Sequence, residues 1–261
     1  MNGTRFWIAC TSLTCIAACD LDTSLAPRVD LDVVVRATDN SFFVDDTQIE
    51  LAEVRMALTT VEFTTEGEMH ARAGLLPTLH DIVVPTAFAH PGHSAGGEVV
   101  GELVGRHVVD YLDAGSTVGI ATLLGGDYSG ANFTFTTADA SDGLVEDDPL
   151  IGHTFLLAGT ATRGQVQVEF VAYVDQDDDR SIIGLPLSFT ATEDSTEQLG
   201  LRFDAVDPVE GDTIFADVDI VSLDEDADGF VEISADENTE AWANLRRNLQ
   251  VHDHYAVEVV E

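Results

Sequence analysis

Residues 29–35 read Val-Asp-Leu-Asp-Val-Val-Val, and this stretch decides the expected fold class. Val29, Leu31 and Val33 alternate with aspartates, which is the two-residue period of a strand that buries one face. Other apolar segments follow at short intervals and are separated by clusters of Gly, Asp and Asn, which favour turns. The pattern predicts a protein built mainly from β-strands.

The other expected strands share this apolar character and end at turn residues. They are 49–63 (one long strand or two), 108–112, 117–123, 132–136, 154–160, 165–174, 185–190, 198–203, 213–223 and 252–260. One helix is expected at 239–249, because Trp242, Leu245 and Leu249 recur at helical spacing behind a capping residue. Many strands with one short C-terminal helix predict an all-β protein, specifically an antiparallel β-sandwich.

The N-terminal segment has the composition of an export signal. Arg5 precedes a mostly apolar run, and the small residues Ala17 and Ala18 stand just before Cys19. The run is too short to span a membrane as a helix. Its end resembles a bacterial lipobox, in which Cys19 would be lipidated and would become the first residue of the mature chain.

This segment sets the expected organisation of the chain. We expect a lipoprotein signal peptide at 1–18, a tether at 19–27 and a β-sandwich domain at 28–261. The acidic loop at 138–148 is a candidate boundary between two lobes, although one domain is favoured. The lipid at Cys19 would anchor the protein in the bacterial cell envelope, either in the periplasm or exposed at the surface.

The composition restricts the partners and ligands. The formal net charge is −37, and all 11 basic residues are arginines. A surface this acidic repels nucleic acids and anionic lipid head groups, and it attracts cations. The three cysteines are Cys10, Cys15 and Cys19, so no disulfide or thiolate metal site is expected in the folded domain. A metal ion would have to be bound by His, Asp or Glu.

Two histidine pairs are the first candidate metal ligands. His90 and His93 flank a Pro-Gly turn, and His252 and His254 lie two apart in an expected strand, where both rings would share a face. Neutral imidazole suits copper(II) and zinc. If the two pairs converge, they form one transition-metal site; the alternative is two unrelated pairs at the surface.

An acidic loop is the second candidate. Asp224, Asp226, Asp228 and Gly229 match positions 1, 3, 5 and 6 of a calcium-binding loop, and the carbonyl of Phe230 would serve position 7. Position 12 is Ala235 instead of Glu, so Asp236 or Glu237 would have to substitute. The sequence therefore predicts calcium binding at this loop, with a plain acidic turn as the alternative.

A serine-hydrolase motif is also present, but its context is unfavourable. Ser94 lies in Gly-His-Ser-Ala-Gly, which fits the G-x-S-x-G nucleophile elbow. The elbow requires a strand before it and a helix after it, whereas Pro91 precedes it and glycines at 97, 101 and 105 follow. A catalytic role is therefore not favoured.

Three segments carry a family resemblance. Residues 87–93, 108–112 and 125–135 resemble segments of uncharacterised bacterial periplasmic lipoproteins. Their order is distantly similar to that in MbnP-like periplasmic copper-binding proteins and in prealbumin-like β-sandwich domains, over roughly residues 28 to 140. The resemblance implies a β-sandwich with a histidine-rich copper site, without assigning individual ligands.

These observations predict a lipid-anchored protein of the cell envelope that binds copper or zinc through His90, His93, His252 and His254, with structural calcium at the acidic loop. The competing prediction is a structural or adhesive surface lipoprotein that binds calcium alone.

Overall fold

The computed structural model describes residues 26–65, 97–177 and 180–260. The expected signal peptide, the lipidation site Cys19, the histidine pair His90 and His93, and Ser94 lie outside the described residues. No helix within the described ranges is long and apolar enough to cross a membrane.

Strands dominate the described residues. They are β1 (Arg28–Val35), β2 (Ser41–Val44), β3 (Thr47–Thr64), β4 (Val99–Leu103), β5 (His107–Asp110), β6 (Thr117–Leu124), β7 (Gly126–Phe135), β8 (Phe155–Arg163), β9 (Val166–Val174), β10 (Ser181–Ala191), β11 (Gln198–Phe203), β12 (Phe230–Ile233) and β13 (Tyr255–Val260). The described ranges contain two α-helices, α1 (Ile220–Leu223) and α2 (Thr239–Asn248), and 3₁₀ turns at Ala140–Asp142 and His252–His254. The predicted all-β class and its short C-terminal helix are confirmed.

The strands form one connected sheet in the order β12-β9-β8-β3-β4-β6-β1-β11-β13. In addition, β7 joins β3 to β10, while β2 and β5 also pair with β3. Most neighbours are antiparallel, as expected, but β1 with β11 and β12 with β9 are parallel pairs. The sheet is therefore mixed, with long connections between the members of its parallel pairs.

The 18-residue strand β3 is the centre of the fold. Its first half pairs with β2 and β8, and its second half pairs with β4 and β7. The segment at 49–63 thus belongs to one long strand. Because β7 precedes the acidic loop at 138–148 and β8 follows it, the strands on both sides of that loop join the same sheet through β3.

Inward-facing side chains from most strands enclose one large core, which extends from Val29 to Val257. Its middle is aromatic: the Tyr255 ring contacts Phe133 with ring centroids 5.1 Å apart and Phe203 at 5.5 Å. Buried aromatic rings remove large apolar areas from water, which makes this cluster a major stabilising element. Tyr255 begins β13, so the cluster ties the C-terminal strand to the centre of the sheet.

Residues 213–223 do not form the expected strand. Apart from a bridge between Val206 and Thr213, this segment consists of turns and of α1. Asp217 adopts a left-handed conformation (φ 62°), and the Asp219 side chain caps α1 by accepting the backbone N–H of Ser222 at 3.2 Å. Aspartate favours such turns and caps, and here this preference overrides the apolar alternation.

Helix α2 is held against the sheet by side-chain bonds to backbone carbonyls. The Trp242 indole N–H donates to the Tyr173 carbonyl at 3.1 Å, and Asn248 donates to the carbonyls of Ile214 and Ala216, each at 3.0 Å. These bonds hold α2 against β9 and against the segment at 214–216, and the histidine-containing turn follows directly from the end of the helix.

Candidate cation sites

The acidic loop at 224–230 brings three of its predicted ligands together. Asp224, Asp226 and Asp228 each offer a carboxylate oxygen, and these oxygens lie within 4.8 Å of one another. In the described part of the chain, no other set of three His, Cys, Asp or Glu residues has this arrangement. The spacing read from the sequence therefore corresponds to a cluster in space.

The loop closes on its own carboxylates. The Asp224 carboxylate accepts the backbone N–H groups of Asp228 at 3.1 Å and of Gly229 at 3.2 Å. Asp228 in turn accepts the N–H of Phe230 at 2.9 Å. Gly229 has a φ of 86°, a left-handed conformation that glycine adopts at no steric cost. The backbone thus holds the carboxylates close together despite their mutual repulsion.

A helix precedes this loop and a strand follows it. The sequence suggested a strand before the loop, but the structure has the single turn α1 there, because 213–223 does not form a strand. On the other side, β12 is fixed by parallel pairing with β9, from Phe230 opposite Glu169 to Ile233 opposite Ala172. The arrangement is therefore helix–loop–strand and differs from the helix–loop–helix of an EF-hand.

Further carboxylates surround the loop. A concave surface beside it is lined by Leu223, Glu225, Asp226, Asp228, Phe230, Val231, Glu232, Asp236, Glu237 and Asn238. This lining includes six carboxylates and no arginine. Ala235 supplies no carboxylate at the twelfth position of the loop, but Asp236 and Glu237 line the same concavity, as the substitution proposed from the sequence requires.

The expectation that His252 and His254 share one face of a strand is wrong. They lie in a 3₁₀ turn, and β13 begins only at Tyr255. The reason is the end of α2: the backbone N–H of Val251 bonds to the Asn248 carbonyl, and that of Tyr255 bonds to the His252 carbonyl. The chain is thus still turning out of the helix at the two histidines.

The two rings consequently have different surroundings. The His252 ring is partly exposed, and its Nε2 lies 3.0 Å from a carboxylate oxygen of Asp253. His254 is only 2% exposed, and its Nδ1 lies 2.8 Å from the Asp204 carbonyl oxygen. A carbonyl oxygen can only accept, so Nδ1 carries the proton and Nε2 keeps its lone pair in the neutral ring.

Burial determines the charge state of His254. Loss of solvent lowers the pKa of its imidazole below the ordinary value. The hydrogen bond to the Asp204 carbonyl and the nearby carboxylates of Asp207, Asp253 and Asp204 raise the pKa, but only in part. The ring is therefore held neutral, which is the form that binds metal ions.

An acidic cavity lies beside His254. It has a volume of about 100 Å³ and is lined by Asp207, Glu210, Asp212, Thr213, Ala216, Asn248, Val251, Asp253 and His254. Asp207 is only 4% exposed, and the Thr213 hydroxyl oxygen is buried without a hydrogen-bond partner among the described residues. Neither Asp207 nor Thr213 is among the ligands predicted from the sequence, because Thr213 opens an expected strand and both residues lie about 40 or more positions before His254.

Comparisons with models of protein families, with curated proteins and with solved structures found no match for this chain.

Proposed function

We propose that this chain is a calcium-binding β-sandwich lipoprotein of the bacterial cell envelope, anchored through a lipid on Cys19. The observation that carries the calcium proposal is the cluster of Asp224, Asp226 and Asp228, whose oxygens lie within 4.8 Å of one another. Calcium prefers oxygen ligands, usually six to eight of them, including carboxylates, carbonyls and water. The loop and the adjacent carboxylates of Asp236 and Glu237 offer this chemistry.

The charge distribution supports this choice of ion. The three clustered carboxylates repel one another, and the concavity beside them contains no arginine that would neutralise them. A divalent cation would remove this repulsion. Because hydrogen bonds already close the loop, binding the ion would cost less conformational entropy. Oxygen-only ligation favours calcium over copper or zinc at this loop.

The position of the loop suggests a structural role for the ion. The loop connects α1 to β12, which lies at one end of the main sheet order. A short turn then leads from β12 to α2. Calcium bound here would fix the edge of the sheet and the helix that packs on it. The function that this geometry supports best is a structural or adhesive role at the cell surface, in a lipoprotein that bound calcium stabilises.

Calcium should raise the thermal stability of the purified protein. An ion at one hundred times its Kd stabilises a folded protein by about 2.7 kcal/mol, or roughly 5–10 °C for a domain of this size. We expect this shift on adding calcium to the chelated protein, measured by differential scanning calorimetry. The shift should disappear in the double variant D226N/D228N.

The matched control is the double variant E146Q/D147N, which removes the same number of charges from an exposed acidic segment elsewhere. It should keep the full calcium response. If D226N/D228N responds to calcium as strongly as the wild type does, the loop is not the calcium site and the proposal fails.

Transition-metal binding is the second candidate function, with copper or zinc held by His90, His93, His252 and His254. The observation that favours it is the bond from His254 Nδ1 to a backbone carbonyl, because metal-bound histidines usually donate their other ring nitrogen in this way. Metal analysis of the purified variants H90A/H93A and H252A/H254A tests it. If both pairs bind the ion, each variant should lose bound copper or zinc, and unchanged metal content in both would exclude a shared site.

A further inference from the structure

The cavity beside the C-terminal turn is formed by two segments that are distant in sequence. One is the acidic turn at 206–213, closed by a 2.7 Å bond from the Asp207 N–H to the Asp212 carbonyl. The other runs from Asn248, at the end of α2, to His254. The cavity volume of about 100 Å³ can hold an ion with a few water molecules.

His254 offers a nitrogen ligand to this cavity. The residue is 98% buried and lines the cavity, and its Nδ1 is fixed by the bond to the Asp204 carbonyl. Nε2 is then the ring nitrogen with a free lone pair, and among the described residues it accepts no hydrogen bond. A buried neutral imidazole held in this tautomer is oriented in advance for ligation.

Two residues of the opposite segment that carry side-chain oxygens, Asp207 and Thr213, line the same cavity. The carboxylate of Asp207 is almost completely buried, and the Val209 N–H donates to its Oδ1 at 2.6 Å. The hydroxyl oxygen of Thr213 is fully buried and has no partner among the described residues. Leaving a buried hydroxyl without a hydrogen bond costs free energy, so its orphaned state points to a ligand that contacts it.

The charge of the lining favours a cation. Asp207, Glu210, Asp212 and Asp253 line the cavity, and no arginine does. A mixed set of one imidazole nitrogen with carboxylate and hydroxyl oxygens matches the preferences of divalent first-row metals such as zinc. The absence of sulfur disfavours copper(I).

We propose that this cavity binds a divalent transition-metal ion, with His254 Nε2 and the Asp207 carboxylate as protein ligands. The Thr213 hydroxyl contacts the ion directly or through water, and water completes the coordination. The site is independent of calcium binding at the acidic loop. It gives the transition-metal candidate a specific ligand set, one that requires neither His90 nor His93.

Zinc titration by isothermal calorimetry tests this site, with calcium in excess so that the acidic loop is saturated. We expect D207N to weaken zinc binding at least tenfold, because Asn keeps the Oδ1 that accepts the Val209 N–H but loses the charge. H254N should abolish binding, since an Asn side chain can still donate to the Asp204 carbonyl but has no equivalent of Nε2. The matched control D147N, at an exposed position that does not line the cavity, should bind zinc like the wild type.

Two additional variants keep the test decisive if H254N folds poorly. T213V replaces a hydroxyl that has no partner, so the metal-free protein should melt no lower than the wild type while zinc affinity falls. H90A/H93A should bind zinc normally. Unchanged zinc affinity in D207N and T213V would overturn the proposal, and so would a loss of zinc in H90A/H93A with none in D207N.

Discussion

His254 shows how one buried residue links ionisation to stability. Its pKa is lowered by burial, whereas in the unfolded chain the imidazole titrates near 6.5. Between the two pKa values the unfolded chain binds more protons than the folded protein does. The contribution of His254 to stability is therefore complete above the unfolded pKa and is lost as the pH falls towards the folded one.

We expect the His254 ring protons to titrate below 6.5 in an NMR experiment on the metal-free protein. Urea unfolding should show a loss of stability as the pH falls below 6.5 that is smaller in H254N, which has no titrating ring at this position. The comparison cancels the common contribution of the many carboxylates. A midpoint at or above 6.5 would show that the neighbouring carboxylates outweigh burial.

For individual residues, the sequence predicted which side chains could be ligands better than it predicted which groups those side chains contact. The aspartates at 224, 226 and 228 were recognisable because their spacing lies within one loop, and the loop itself brings them together. The partners of His254 were not recognisable, because Asp204 and Asp207 lie about 50 residues earlier in the chain. A ligand set assembled by tertiary structure leaves no local spacing pattern in the sequence.

Among the elements, the pairing of β3 with β8 depends on one glycine. Gly159 lies opposite Leu51, and the register of the two strands shifts between Leu51 and Glu53. A Cβ atom at Gly159 would collide with the Glu50 backbone carbonyl oxygen. Glycine in a strand often marks such a bulge, where the neighbouring backbone approaches closely.

The variant G159A should therefore destabilise the protein by about 1–3 kcal/mol, the usual cost of overpacking a site that must shift to make room. Equilibrium urea unfolding measures this difference. T160A, at the next position of the same strand, is the control and should change stability by only about 0.5 kcal/mol. Equal effects of the two variants would mean that the close approach of the Glu50 carbonyl to Gly159 does not contribute to stability.

The elements also show where local patterns fail. The alternation at 29–35 and the helical spacing at 239–249 predicted β1 and α2 well, since in both the apolar face is the buried face. Residues 213–223 have a similar apolar content, but Asp217 and Asp219 turn the chain and cap α1. The last strand is shorter than expected for a different reason, because the end of α2 continues into the turn at His252–His254.

For the whole molecule, the fold class was predictable and the topology was not. A two-residue period can be read within any short window, and it recurs often enough to indicate an all-β protein. The order of strands depends instead on contacts between distant segments, such as the parallel pair of β1 and β11. The acidic cavity depends on the same contacts, because two separate segments of the chain form its walls.

The parallel pair of β1 and β11 also governs when the molecule can finish folding. Val33 lies opposite Leu199, so the first strand meets one of its two neighbours only after most of the chain is present. Such a high contact order favours slow folding. Until then one edge of β1 remains unpaired, a state in which strands tend to aggregate. Asp30 and Asp32 are exposed and place negative charge on β1 while its edge is unpaired. Charged side chains disfavour pairing with other chains, so the alternation that forms β1 also protects the strand from aggregation.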